Sequence, residues 1–448
     1  MANTNTAFDF ILRGGVVVNQ DGTGVRDVAV RDGKIAAIGD LGGAAAAEEI
    51  DCGGLHVLPG VIDSQVHFRE PGAEAKEDLA SGSLAAVAGG VTTVFEMPNT
   101  KPSTTTAAAL QDKLDRASGR MYCDHAFYAG ASKDNAAALA ELERMPGCCG
   151  VKIFMGASTG DLLVADDEGL AAALASGRRR VAIHAEDEPR MEARRPMAVE
   201  GDPSSHPIVR DAEAALIATQ RLLKVARACG RLVHVLHIST AEEMELLAAH
   251  KDIATVEATP QHLTLTAPDA YERLGAFAQM NPPIRDASHR EGLWRGLANG
   301  TVDVIGSDHA PHLREEKERP YPASPSGMPG VQTLVPLMLT HVNAGRLTLE
   351  RFVDLTAHGP QRVFGIAGKG RIAAGYDADI TIVDMSRTET ISADWLRYKC
   401  GWSPFEGETA TGWPVGTIVR GRRVMWDGEI LGAAAGAPVR FHQTLSSG

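Results

Sequence analysis

The 448-residue chain carries a formal net charge of −13, with 44% hydrophobic and 23% charged side chains. That composition suits a soluble globular enzyme and excludes disordered or fibrous classes. The acidic balance argues against nucleic acid, which is held by clustered Lys and Arg. The start lacks a basic segment followed by an apolar stretch, and no apolar run reaches about 18 residues, so the expectation is a cytoplasmic protein outside any membrane.

In chain order, residues 1–55 read as short β segments, with Asp-Gly turns at 21–22 and 32–33 closing hairpins. From 56 to 365, apolar β-branched runs alternate with Ala/Leu/Glu-rich helical stretches, the pattern of repeated β-α units. Eight runs stand out: 55–62, 91–97, 124–130, 151–155, 181–184, 232–238, 254–258 and 302–306. From 366 to 448 the β texture of the start returns. The predicted fold is α/β: a TIM (β/α)₈ barrel over 56–365, with a small composite β-sandwich domain built from 1–55 plus 366–448. The six cysteines, including adjacent Cys148 and Cys149, lack metal-finger or disulfide spacing and read as reduced packing residues.

A barrel of this kind works at the C-terminal ends of its strands. Polar residues cluster there. Asp63, Gln65, His67 and Arg69 are spaced by two, so an extended chain sends them to one side. Asn99 follows the second run. Lys152 lies inside the apolar fourth run, where an unpaired ammonium is expensive; a lowered pKa would let it take up carbon dioxide as a carbamate, an anionic bridging ligand. His184 ends the fifth run and His237 sits in the sixth, two imidazoles at equivalent strand ends that suit zinc. His234 must face away from His237. Asp308 follows the eighth run, where it can touch a metal and take a proton from water, with a helix N-cap as the competing reading. His309 beside it points elsewhere, and His312 is placed to reach a substrate.

These residues resemble the amidohydrolase superfamily, and within it the dihydroorotases, over nearly the whole chain. The resemblance implies one or two Zn²⁺ ions per subunit held by His67, N6-carboxylated Lys152, His184, His237 and Asp308, with Asp308 also the catalytic base. It implies substrate binding by Arg69 of HFREPG, Asn99 of MPNT, Asn281 of QMNPPIR and His312 of APH. The segments at 256–263, 326–332 and 399–407 agree with it. The departure is Gln65, which stands where the family has its first metal-binding His and is a weaker ligand. The implied reaction interconverts L-dihydroorotate and N-carbamoyl-L-aspartate in pyrimidine biosynthesis. Alternatives are an allantoinase or hydantoinase acting on another cyclic ureide, or a non-catalytic scaffold of aspartate transcarbamoylase. A homodimer or higher homo-oligomer is expected, and the GASTG segment after Lys152 and the stretch 259–285 are candidate closing loops.

Overall fold

The computed structural model describes residues 8–157 and 162–445. Five strands open the chain: β1 (Phe8–Asn19), β2 (Gly22–Arg31), β3 (Lys34–Gly39), β4 (Ala46–Asp51) and β5 (His56–Pro59). Eight more follow at the pace of the predicted runs: β6 (Val61–Val66), β7 (Val91–Glu96), β8 (Asp124–Gly130), β9 (Cys148–Phe154), β10 (Val181–His184), β11 (Val233–Val235), β12 (Ala254–Ala258) and β13 (Val304–Ile305). The chain ends on β14 (Ile380–Thr390), β15 (Thr409–Val419), β16 (Arg422–Trp426) and β17 (Glu429–Ile430).

Strands β6 to β13 lie side by side in chain order, each parallel to the next. Every residue of β6 through β11 is buried, as parallel strands covered on both faces require. Closure rests on few bonds. The His67 N–H donates to His309 O at 2.7 Å, and Val66 and His309 form a single parallel bridge. Helices between the strands begin on polar caps: the Asp166, Asp187 and Asp211 side chains each accept from a backbone N–H in the first turn of their helix.

Both ends of the chain meet in one nine-stranded sheet, ordered β17-β16-β15-β14-β5-β1-β2-β3, with β4 also paired to β1. Val28, Val30 and Ile35 from the start share an apolar cluster with Ile380, Ile382 and Ile418 from the end. The first predicted run, 55–62, is divided between the two sheets. His56–Pro59 pairs with β1 and β14, and only from Val61 does the chain enter the barrel.

Two C-terminal segments leave this sheet and pack on the barrel. Leu396, Tyr398, Trp402 and Phe405 join the barrel's main apolar cluster, and Trp402 Nε1 donates to His312 O at 2.8 Å. Residues 436–441 run beneath the barrel: Gly436 N–H donates to Met121 O and Val439 N–H to His125 O, both at 2.9 Å. There Phe95 meets Phe364 and Phe441 edge-on, at 5.2 and 5.8 Å between ring centroids.

The stretch 259–285 holds two short helices, Pro260–Thr264 and Asp269–Leu274. Arg285 ties its end to Ser239 Oγ and Arg210 O at 3.0 Å each. The GASTG expectation falls mostly outside the described residues, from Ser158 onward. Among the described residues no helix is long and apolar enough to cross a membrane.

Candidate active site

The C-terminal strand ends converge on one pocket. Gln65, His67 and Arg69 reach it from the end of β6 and the turn beyond, Asn99 from after β7, Phe154 from β9, His184 from β10, His237 from after β11 and Asp308 from after β13, with Asn281, Ala310, Ser326 and Gly327 at its rim. The free space at its deep end is about 20 Å³, room for roughly one water molecule. Asp63 is not part of the lining. Its buried carboxylate instead accepts from Ser307 N–H at 2.9 Å and Gln65 N–H at 3.2 Å, bracing the β6 and β13 ends against each other. The expected series of four therefore fails only at Asp63, while Gln65, His67 and Arg69 share the pocket.

Six non-glycine residues among those described have positive φ, and three of them lie here: Arg69 (65°), His237 (38°) and Asp308 (45°). Such backbone costs on the order of 1–3 kcal/mol per residue and persists where surrounding structure enforces it, most often at working sites. Asp308 caps no helix; the next begins only at Arg314.

His184 Nδ1 lies 3.1 Å from His237 Nε2. On the far side of the His184 ring, Nε2 lies 2.9 Å from Glu186 Oε2. Burial opposes ionisation of Glu186, but Arg210 and His184 outweigh it and hold the carboxyl well below its usual range. An ionised Glu186 takes the Nε2 hydrogen and leaves a lone pair on Nδ1, the arrangement of a carboxylate orienting a metal-binding imidazole. Two nitrogens bound to one tetrahedral zinc stand roughly 3.3 Å apart, given Zn–N bonds of about 2.0–2.1 Å. Burial lowers both histidines, so each is a neutral imidazole that could offer a metal a lone pair. Glu186 belongs to none of the motifs that carry the resemblance, although its place two residues after His184 is a usable signal.

Lys152 completes this side. Its Nζ is fully buried, has no hydrogen-bonding partner among the described residues, and lies 4.5 Å from the centre of the Phe154 ring. Burial pushes its pKa down to about 7, against the opposing pull of Asp308 and Glu257. No three His, Cys, Asp or Glu side chains among the described residues gather closely enough to hold an ion by themselves. The donors come in pairs, and a carbamate on Lys152 is what would join them.

The second pair is His67 and Asp308. His67 Nε2 is 3.3 Å from Asp308 Oδ1, and its Nδ1 is 2.9 Å from Asn99 Oδ1. Burial pushes His67 down to about 4, so it too is neutral. Gln65 Nε2 donates to the same Asp308 oxygen at 2.9 Å, while Gln65 Oε1 is buried without a partner.

Arg69 is buried, its Nε donating to Pro311 O at 3.1 Å and one terminal nitrogen 3.3 Å from His312 Nε2. Burial pushes it down to about 10, still a cation at neutral pH. Asn281 accepts from His206 Nε2 at 3.0 Å. His309 faces away from the pocket between Phe68 and Tyr398, and His234 is turned from His237 toward Thr255, both as expected.

Residues 56–424 match the model described as the Amidohydrolase family. The chain belongs to the amidohydrolase family. This amidohydrolase is 40% identical over 434 residues to a dihydroorotase of Halobacterium salinarum, covering 93% of this chain and 99% of the relative. It is 38% identical to an allantoinase of Rubrobacter xylanophilus, covering 97% and 98%. The solved structure of an L-hydantoinase (dihydropyrimidinase) from Arthrobacter aurescens superimposes with a TM-score of 0.91 at 33% identity, covering 97% of this chain and 100% of that one. With these relatives the chain is a hydrolase of cyclic amides, and its family implies a metal cofactor.

Proposed function

We propose that this amidohydrolase is a zinc-dependent dihydroorotase that interconverts L-dihydroorotate and N-carbamoyl-L-aspartate. Arg69 carries the reading. It is a buried cation at the pocket wall, and among the described residues no carboxylate lies within ion-pairing distance of it. A guanidinium in that state matches a carboxylate supplied by the substrate. A ring without one would leave Arg69 unpaired and be disfavoured accordingly.

In this reading His184, His237, Lys152 as its carbamate, His67 and Asp308 would hold the metal, with Gln65 a weak further donor. The metal would supply a Lewis acid and a lowered water pKa. The protein's own groups do the rest. Arg69, Asn99 and His312 take the exocyclic carboxylate and Asn281 the ring edge, fixing which amide faces Asp308. Asp308 accepts the proton of the attacking water and returns it to the ring nitrogen as the C–N bond breaks, so one base serves both transfers. Gln65 Nε2 holds that carboxylate in place.

The test is turnover of L-dihydroorotate, hydantoin and allantoin by protein supplied with zinc and bicarbonate, followed by loss of ring-amide absorbance. The expected result is a kcat/KM for dihydroorotate at least about 10³-fold above the uncharged rings, the loss expected when a buried charge is left unpaired. Faster turnover of an uncharged ring would replace this reading with the hydantoinase or allantoinase one, activities named for two of the relatives.

A further inference from the structure

Beside the pocket opens a wider vestibule of about 910 Å³, lined by Arg69, Asn99, Lys76, Lys101 and Glu316 among others. Lys76 reaches from it to the back of His312, its Nζ 3.1 Å from His312 Nδ1 and 3.0 Å from Glu316 Oε1. Lys76 lies outside every motif that carries the family resemblance. We propose that Lys76 is a positioning residue that fixes His312 as the neutral tautomer with its hydrogen on Nε2, turned toward Arg69 and the substrate's carboxylate, and that Glu316 would impose the opposite tautomer without it.

Two contacts give the tautomer independently. An ammonium has only hydrogens to offer, so His312 Nδ1 must accept from Lys76 and the ring hydrogen lies on Nε2. From the other side, His312 Nε2 is 3.0 Å from Ser326 O, a carbonyl that can only accept. Both readings agree. Arg69 then faces that nitrogen at 3.3 Å as a second donor, and neither satisfies the other. The Nε2 hydrogen that Ser326 O accepts would be shared with a carboxylate held by Arg69, so the two donors would serve one anionic acceptor. Burial, with Arg69 and Lys76 nearby, keeps the ring neutral, so it contributes an oriented N–H rather than a charge.

Glu316 makes Lys76 necessary. Its Oε2 stands 3.8 Å from His312 Nδ1, too far for a hydrogen bond while Lys76 occupies that nitrogen. Remove Lys76 and Glu316 becomes the nearest partner. A carboxylate only accepts, so the ring hydrogen would move to Nδ1 and leave a lone pair on Nε2, facing Ser326 O and any incoming carboxylate. The loss would exceed that of one distant positive charge, because a donor becomes a repelling acceptor.

The experiment compares the metal-loaded full chain with Lys76→Met and with Lys76→Met/Glu316→Gln, a pair in which the new amide can donate to Nδ1 in place of the ammonium. Histidine ¹⁵N spectra, with His312 assigned by its loss in His312→Asn, report the tautomer without any substrate. The expected pattern is Nε2–H in the parent, a shift to Nδ1–H in Lys76→Met, and a return to Nε2–H in the double variant. The kinetic arm rests on the dihydroorotase reading: KM should rise about tenfold or more in Lys76→Met with kcat changed far less, and should largely recover in the double variant. Nδ1–H in the parent, or an unchanged tautomer in folded Lys76→Met, overturns the proposal. A tautomer that switches as expected in a protein that ignores dihydroorotate would sustain it while overturning the substrate reading.

Discussion

Two buried lysines, one at each end of the barrel, show opposite solutions to the same problem. Beneath the barrel, Lys369 Nζ is paired with Asp124, Asp379 and Asp377, and the three carboxylates outweigh burial and push its pKa above the ordinary range. At the mouth, Lys152 has no hydrogen-bonding partner among the described residues and is pushed down to about 7. Lys113 and Lys317 are partnered like Lys369, one with Glu96 and the other donating to three carbonyl oxygens, although burial lowers both as it does Lys152. The Lys369 cluster is charge-paired, whereas the pocket at the mouth gathers positive-φ backbone at Arg69, His237 and Asp308. One end provides stability and the other sacrifices some of it for chemistry.

The largest effect expected from breaking this contrast is in activity. Lys152→Met should lower kcat by at least about 10³-fold, the several kcal/mol that a lost metal centre represents. The same change should raise the melting temperature of the metal-free protein, since it replaces a desolvated amine by a side chain that suits the site. A calorimetric scan of chelated protein checks this, and a lower melting temperature would contradict it. Lys369→Met should do the reverse. It strands three carboxylates and should cost about 3–5 kcal/mol in denaturant unfolding, with kcat per folded molecule near that of the parent.

A smaller effect follows from pH. The folded pKa of Lys152, about 7, lies below the ordinary 10.5, so between these values the unfolded chain binds more protons and this residue's penalty on metal-free stability shrinks as pH rises. Carbamate formation needs the neutral amine, whose fraction falls about tenfold per unit below pH 7. Activity should therefore fall on the acid side and be partly restored by added bicarbonate; a limb indifferent to bicarbonate would separate it from Lys152. Smallest is Gln65→Ala, which removes one donor from Asp308 and should lower kcat by roughly tenfold, the scale of a hydrogen bond to a charged group.

The eight barrel strands were legible because their pattern is local: apolar runs spaced by helical stretches, six of them with ligand-type or substrate-binding residues at or near one end. His234 and His237 could be told apart for the same reason, three residues along a strand reversing the side. What stayed hidden depends on contacts between distant parts of the chain. His56–Pro59 looks like the start of the barrel, yet it belongs to the outer sheet because β1 and β14 claim it. Lys76 and Glu316 are 240 residues apart in sequence, and only the fold brings both to His312. Glu186 lay within reach of local reasoning, because a carboxylate two residues beyond an inward-facing His can orient it.

The segment at 436–441 has a consequence for how the molecule is made. The strands that it covers, β7 and β8, are synthesised some 300 residues earlier, and Phe441 is needed to finish the apolar packing of Phe95 and Phe364. During translation the barrel therefore keeps an open underside until residues 436–441 have left the ribosome. A nascent chain halted just short of that segment would carry a working mouth above an exposed aromatic floor, the kind of surface that chaperones recognise.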